Sequence, residues 1–260
     1  MIDLGLRDDQ MRVMTRVVAE ESAHREHVVI YLSGAHAYGF PSPDSDLDLK
    51  AIHLESTRKL LGFTPPALTF DRAEVIDGIE IDYTSNELAN VLAGVLAGNG
   101  NFIERILGRL VVSQSGILDD LRPVVTRSLS RQVHKHYRGF AQNQQKALER
   151  EATAKKLLYV LRTALTGIHL LETGALETDL SLLGPRYGLG EASELIERKR
   201  AGERVLLDDT TVDAGRARVA RLLGRLDAAR DSSVLPEDPA NVAEVEEWLL
   251  AVRASRLSAC

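Results

Sequence analysis

Two carboxylates, Asp46 and Asp48, flank Leu47 in a stretch where acidic and apolar residues alternate, Asp46-Leu47-Asp48-Leu49-Lys50-Ala51-Ile52. Such alternation predicts a strand with one polar and one buried face, so both carboxylates project from the same side. Carboxylates held close together repel unless a cation lies between them. Hard oxygen donors, completed by water and substrate phosphates, suit Mg²⁺ or Mn²⁺. Asp82, on the polar side of Ile79-Glu80-Ile81-Asp82, supplies a third carboxylate if its strand lies alongside. Two metals held by such a trio stabilise the entering and leaving oxygens when a nucleotide α-phosphate is attacked. Asp82 is also suited to take the proton of the attacking hydroxyl.

The residues before the carboxylates read as a phosphate loop. Residues 27–32 (HVVIYL) form a buried-strand pattern, and Ser33-Gly34-Ala35-His36 follow at once. Gly34 allows a sharp turn and a close approach of backbone to a triphosphate. A short helix over 35–38 would add amide donors for an anion. His36 is either a nucleotide contact or an ordinary exposed loop histidine. Further on, Lys155, Tyr159 and Arg162 fall at i, i+4 and i+7 and share one helix face. The two cations suit β- and γ-phosphates and the tyrosine suits a base or ribose. The bland alternative is a salt-bridging helix with Tyr159 in the core. Asp-Ser-Asp-Leu-Asp lacks the glycine and the final glutamate of an EF-hand loop. No P-loop, dinucleotide-binding glycine pattern, His-Glu-x-x-His or Cys-x-x-Cys occurs.

The elements that must position these residues can be outlined. Residues 6–23 have helical apolar spacing. Residues 68–76 and 79–84 flank Asp77-Gly78, a strong hairpin signal. Helices are predicted over 86–97 and 101–110, the second with Asn101 as N-cap and Glu104 completing a capping box. Beyond residue 120 only helices are predicted, over 128–149, 152–173, 191–200, 211–230 and 242–255. The expectation is an α+β protein: a mixed sheet with flanking helices over 1–120, then an all-helical domain over 121–260.

Bulk properties agree with a soluble, cytoplasmic protein. The 260 residues carry a net charge of −6, which argues against nonspecific coating of nucleic acid. The first 120 residues hold 19 acids and ten bases, whereas 122–162 hold ten bases and two acids. This asymmetry suits metal-binding carboxylates facing phosphate-binding cations, or else a solvated basic helix face. No apolar run nears the ~20 residues of a membrane span, so no membrane partner is expected. The first nine residues lack the pattern of a signal peptide. Cys260, the only cysteine, can form no internal disulfide, which fits a reducing compartment.

A strand, a Gly-Ser turn, a short helix and Asp-x-Asp form the signature of DNA polymerase β-like nucleotidyltransferases, and this sequence resembles it. The string AYGFPSPDSDLDLKAI is similar to a branch of bacterial and phage nucleotidyltransferases sometimes found beside RNA ligases. Gly98-Asn99-Gly100-Asn101 with Glu104, and Lys155-Lys156-Leu157-Leu158-Tyr159-Val160-Leu161-Arg162, also resemble segments of that branch. The likeness spans roughly residues 30–165. It implies a polymerase-β-like core that uses Mg²⁺ or Mn²⁺ and an NTP, with ATP the expected donor. The acceptor is a hydroxyl of RNA, protein or a small molecule. One departure stands out: Ala35 occupies the position of the family serine, whose hydroxyl is expected to bond the β- or γ-phosphate. Losing that bond weakens nucleotide binding by roughly 1–3 kcal/mol. Two other readings follow, a nucleotide-binding or regulatory module that has lost catalysis, and an RNA-binding scaffold that uses the basic 122–162 segment.

Overall fold

The computed structural model describes residues 4–190, 192–200 and 206–257. Cys260 and Glu191, the first residue of one predicted helix, lie outside them. The chain forms two compact units. One comprises 1–33, 46–129 and 239–260, and the other comprises 34–45 and 130–238. A single cut after residue 120 therefore does not describe the partition, since both the loop 34–45 and the last helix cross it.

The first unit is built on a five-stranded mixed sheet of order β3-β4-β2-β1-β5. Its strands are β1 (Glu26–Leu32), β2 (Leu47–Leu54), β3 (Thr69–Ile76), β4 (Ile79–Glu87) and β5 (Val111–Gln114). β2 and β4 run parallel, and every other neighbouring pair is antiparallel. β1 is buried over six consecutive residues, His27 to Leu32, as its unbroken apolar run requires. Helix α1 (Asp8–His24) lays Val13, Met14 and Val17 against Ile30, Leu32, Leu47, Leu49, Ile81 and Tyr83. The β3–β4 hairpin turns at Asp77 and Gly78, both at positive φ (51° and 80°), the pairing that a two-residue turn demands. One turn of helix, α2 (Gly34–Ala37), follows β1, and α3 (Thr57–Leu61) follows β2. Helices α4 (Leu88–Leu96), α5 (Gly100–Leu107) and α6 (Ile117–Arg127) complete the core over residues 88–127.

Two expectations need correction here. The N-cap of α5 is Asn99, whose side chain accepts from the amide of Asn101; the predicted Asn101 cap and its box with Glu104 do not form. Glu104 is instead buried within the helix. Strand β5 and helix α6 were not anticipated, because β5 has only four residues and Pro123 lies inside α6.

The second unit is helical: α7 (Val133–Arg150), α8 (Ala154–Thr173), α9 (Leu180–Arg186), α10 (Ala192–Arg200) and α11 (Asp209–Asp231). Helix α8 is its centre, buried without interruption from Val160 to Leu171, and α7, α9, α10 and α11 all pack on it. Thr153 caps its start through the amide of Lys156, and Gly174, at φ 72°, ends it. The last helix, α12 (Val242–Leu257), belongs to the first unit and packs on α3, α4 and α6. No described helix is long and apolar enough to cross a membrane.

Candidate active site

In the first unit, β1 delivers the chain to Ser33, whose amide donates to the carbonyl of Asp48 at 2.8 Å. Asp46 immediately precedes β2, and Asp48 is its second residue, half-buried between the fully buried Leu47 and Leu49. In the parallel pairing of β2 and β4, Asp48 stands directly opposite Asp82. The strand of Asp82 thus lies alongside that of Asp48, the relationship on which the sequence reading depended.

Lys50 was not anticipated. Two residues beyond Asp48 on the same face, its ammonium lies 2.9 Å from Asp82 Oδ2 and 4.0 Å from Asp48 Oδ1. It also donates to the Asp82 carbonyl at 3.4 Å. Period-two alternation carried the signal, since Asp46, Asp48 and Lys50 recur every second residue. The repulsion between neighbouring carboxylates is thereby offset by a cation that the chain itself supplies. Among the described residues, no three His, Cys, Asp or Glu side chains converge closely enough to form a ready metal cluster. The oxygen donors suit Mg²⁺ or Mn²⁺ in type, and Asp48 and Asp82 suit it in register. Lys50 holds the second of these carboxylates, so a metal would compete with an ammonium for Asp82.

The loop 34–45 belongs to the second unit. Gly34 has φ 63° and Gly39 φ 80°, conformations that favour glycine. α2 is a single turn whose first amides have no intrahelical acceptor, and within it Ala35 and His36 are buried. The start of α9 grips the loop: the Leu180 amide donates to Tyr38 O and the Thr178 hydroxyl to Ala37 O, both at 2.9 Å. A Cβ on Gly39 would come within 1.9 Å of Asp179 Oδ1, which caps α9 through the Ser181 amide.

On α8, Arg162 is buried with its guanidinium 3.6 Å from the centre of the Tyr38 ring. Stacking of this kind uses the guanidinium face, while its N–H donors lie in the plane. Tyr159 is half-buried and meets Tyr38 and Phe40 edge to face at 5.7 and 5.4 Å. Contact with a base would use the rest of its ring. Lys155 is half-buried one turn earlier. The basic run 122–162 is largely spent on internal contacts. Arg127 pairs with Glu244, Arg138 with Asp227 and Lys156 with Glu151, while Arg122 donates to the carbonyls of Ile106 and Gly108.

A separate cavity of about 510 Å³ opens at the other end of the sheet, among Arg25, His53, Lys59, Phe70 and Arg256. Its cations are paired with Glu21, Glu55 and Glu26, and it takes no part in the carboxylate site.

Comparison with known proteins identifies the family. The chain is a polymerase-β-like nucleotidyltransferase by family. More narrowly, residues 6–251 match RlaP, described as the RNA repair pathway DNA polymerase beta family, and the chain belongs to that family. Over 159 residues it is 33% identical to the uncharacterized protein MJ0002 of Methanocaldococcus jannaschii, a match that covers 59% of this chain and 64% of that protein. The match thus spans less than two thirds of its relative's length. A solved nucleotidyltransferase-like protein from Exiguobacterium sibiricum aligns over 94% of this chain and 80% of its own, with 14% identity and a TM-score of 0.34. At that distance it carries no argument about the site.

Proposed function

We propose that the protein transfers a nucleoside monophosphate from an NTP, with ATP the expected donor, to a hydroxyl and releases pyrophosphate. The observation that carries this reading is the placement of Asp48 opposite Asp82 on adjacent parallel strands, beside the strand that ends at the glycine turn. The acceptor oxygen bonds to the α-phosphorus, the bond from that phosphorus to the bridging oxygen breaks, and pyrophosphate leaves. Asp82 takes the acceptor proton. Asp46, Asp48 and Asp82 are the residues that would hold Mg²⁺ or Mn²⁺, which when bound would neutralise charge on the phosphates. Ser33, Gly34, Ala35 and His36, with Lys155, Tyr159 and Arg162, are assigned to the nucleotide. Their residue types and the family membership support this assignment. The family's description makes an RNA end the first acceptor to test.

The test incubates the protein with each α-labelled NTP, Mn²⁺ or Mg²⁺, and RNA oligonucleotides bearing either terminal hydroxyl. Label in RNA together with pyrophosphate release, both abolished in Asp48→Asn, supports the proposal. Ala35 and the Lys50–Asp82 contact favour a second reading, a nucleotide-binding module without turnover. Under it, NTP binds and no acceptor in RNA, protein or small-molecule fractions becomes labelled.

A further inference from the structure

β3 is an outer strand of the first unit's sheet, with β4 as its one neighbour there. Its residues, Thr69–Ile76, pair with β4 in an unbroken register that closes at Ile76 opposite Ile79. In a two-residue hairpin the closing pair exchanges backbone bonds, and every second pair beyond it does the same. The amides and carbonyls of Phe70, Arg72, Glu74 and Ile76 are therefore used on β4. Those of Thr69, Asp71, Ala73 and Val75 point away from the sheet, and among the described residues no backbone group meets them. The usual guards of such an edge are missing. β3 has no proline, no lysine and no bulge, and Asp71, Ala73 and Val75 are exposed.

The order of charges along this edge selects a partner. Arg72 and Glu74 flank Ala73 and share the opposite face of the strand. When a second copy adds its own β3 antiparallel, a two-fold axis passes through one residue of the strand. An axis at Arg72 sets two arginines opposite each other, and one at Glu74 sets two glutamates opposite, arrangements that repel. An axis at Ala73 sets each Arg72 opposite the other copy's Glu74, so four charges alternate in sign. It also sets Phe70 opposite Ile76 and leaves only two methyl groups at the axis. The outward groups of Asp71, Ala73 and Val75 meet their counterparts in this register and exchange about six backbone bonds.

The geometry points to β3 as a self-complementary edge at which a second copy of this chain docks, joining two five-stranded sheets into one through a two-fold axis at Ala73. Ala73 stands opposite Asp82, and Asp82 stands opposite Asp48. The register thus lines up the carboxylate pairs of both copies on one face of the joined sheet. The two Asp82 backbones are then three strand spacings apart, about 14 Å. The docking itself does not depend on what those carboxylates bind.

The test measures the mass of the full chain by sedimentation equilibrium, from micromolar to millimolar concentration, for wild type, Ala73→Pro, Glu74→Arg and Arg72→Glu. A thermal melt accompanies each. Ala73→Pro removes an outward amide that β4 does not use. Glu74→Arg and Arg72→Glu each set like charges opposite one another across the axis. The expected result is a wild-type dimer whose dissociation constant rises roughly tenfold or more in each variant. Mixing Glu74→Arg with Arg72→Glu should restore a dimer, because every facing pair is then opposite in charge. Arg72 also binds Glu20 and Glu21 of α1, so Ala73→Pro and Glu74→Arg keep the test decisive if Arg72→Glu does not fold. A wild-type monomer at every concentration overturns the inference, as does a dimer unchanged in folded Ala73→Pro or Glu74→Arg. Two folded charge variants that fail to pair when mixed overturn the axis at Ala73.

Discussion

Asp48 and Asp82 face each other across two neighbouring parallel strands, and one ammonium, that of Lys50, reaches both. The pair is thus assembled by sheet register, without help from a flexible loop. The functional proposal follows from that register, and so do several of the outcomes below.

Lys50 competes with a metal for Asp82. Lys50→Met should strengthen Mn²⁺ binding roughly twofold to fivefold, the equivalent of the ~0.4–1 kcal/mol typical of a partly exposed ion pair. Titration calorimetry on the two proteins reads this directly. Weaker binding in Lys50→Met would show that the ammonium helps the site and does not block it.

Acid should destabilise the fold well before the carboxylates protonate. Burial, then the nearby Arg25 charge, pushes His27 down to about 4 from its ordinary 6.5. It sits against Tyr83 OH at 2.7 Å and Ser22 Oγ at 3.2 Å. Between those pH values the unfolded chain binds a proton that the folded chain refuses, so stability is lost as pH falls through the window. The full loss is roughly 3 kcal/mol. Burial also lowers His53 and His169, which adds in the same direction. The urea midpoint should therefore decline from pH 6.5 to pH 4, with a shallower decline in His27→Gln; equal slopes would contradict the assignment.

The last helix is anchored by a buried charge. Arg253 pairs with Glu87, which is 1% exposed, and donates to Glu55 O at 2.9 Å. Glu87 in turn caps α4. Arg253→Leu leaves that carboxylate buried without its guanidinium and should cost about 3 kcal/mol in urea unfolding. A loss below about 1 kcal/mol, the range of surface pairs, would mean that water enters to replace the arginine.

Gly39 is required twice, by its φ of 80° and by the Asp179 carboxylate that fills the space of a Cβ. Gly39→Ala should destabilise the helical unit by about 2 kcal/mol and weaken the α9 cap. Thermal melts followed by circular dichroism measure the first effect. An unchanged melt would place the Asp179 contact among the dispensable ones.

Much of this was legible because the relevant signals are local. Alternation around Asp46 and Asp48, the unbroken apolar run of β1 and the Asp77-Gly78 turn each encode an element by period or backbone geometry. The α5 cap was misplaced by two residues because Asn99 and Asn101 are equally good caps in sequence. α9 was missed because Gly184 and Pro185 read as breakers, although a seven-residue helix tolerates them near its end. Lys199, a buried ammonium that donates to Ser42 Oγ and Ser45 Oγ, could not be found at all: it lies 154 residues from Ser45, and nothing in its neighbourhood signals burial. The membership of 34–45 in the helical unit was equally hidden, since it arises from contacts with residues 178–180 and 199.

The most direct test of the central claim is Mn²⁺ binding in the presence of a non-hydrolysable ATP analogue, comparing wild type with Asp48→Asn and Asp82→Asn. If these two carboxylates form the cation site, wild type binds Mn²⁺ and the nucleotide tightens that binding, while each variant loses at least tenfold in affinity. Equal Mn²⁺ affinity in all three proteins would contradict it.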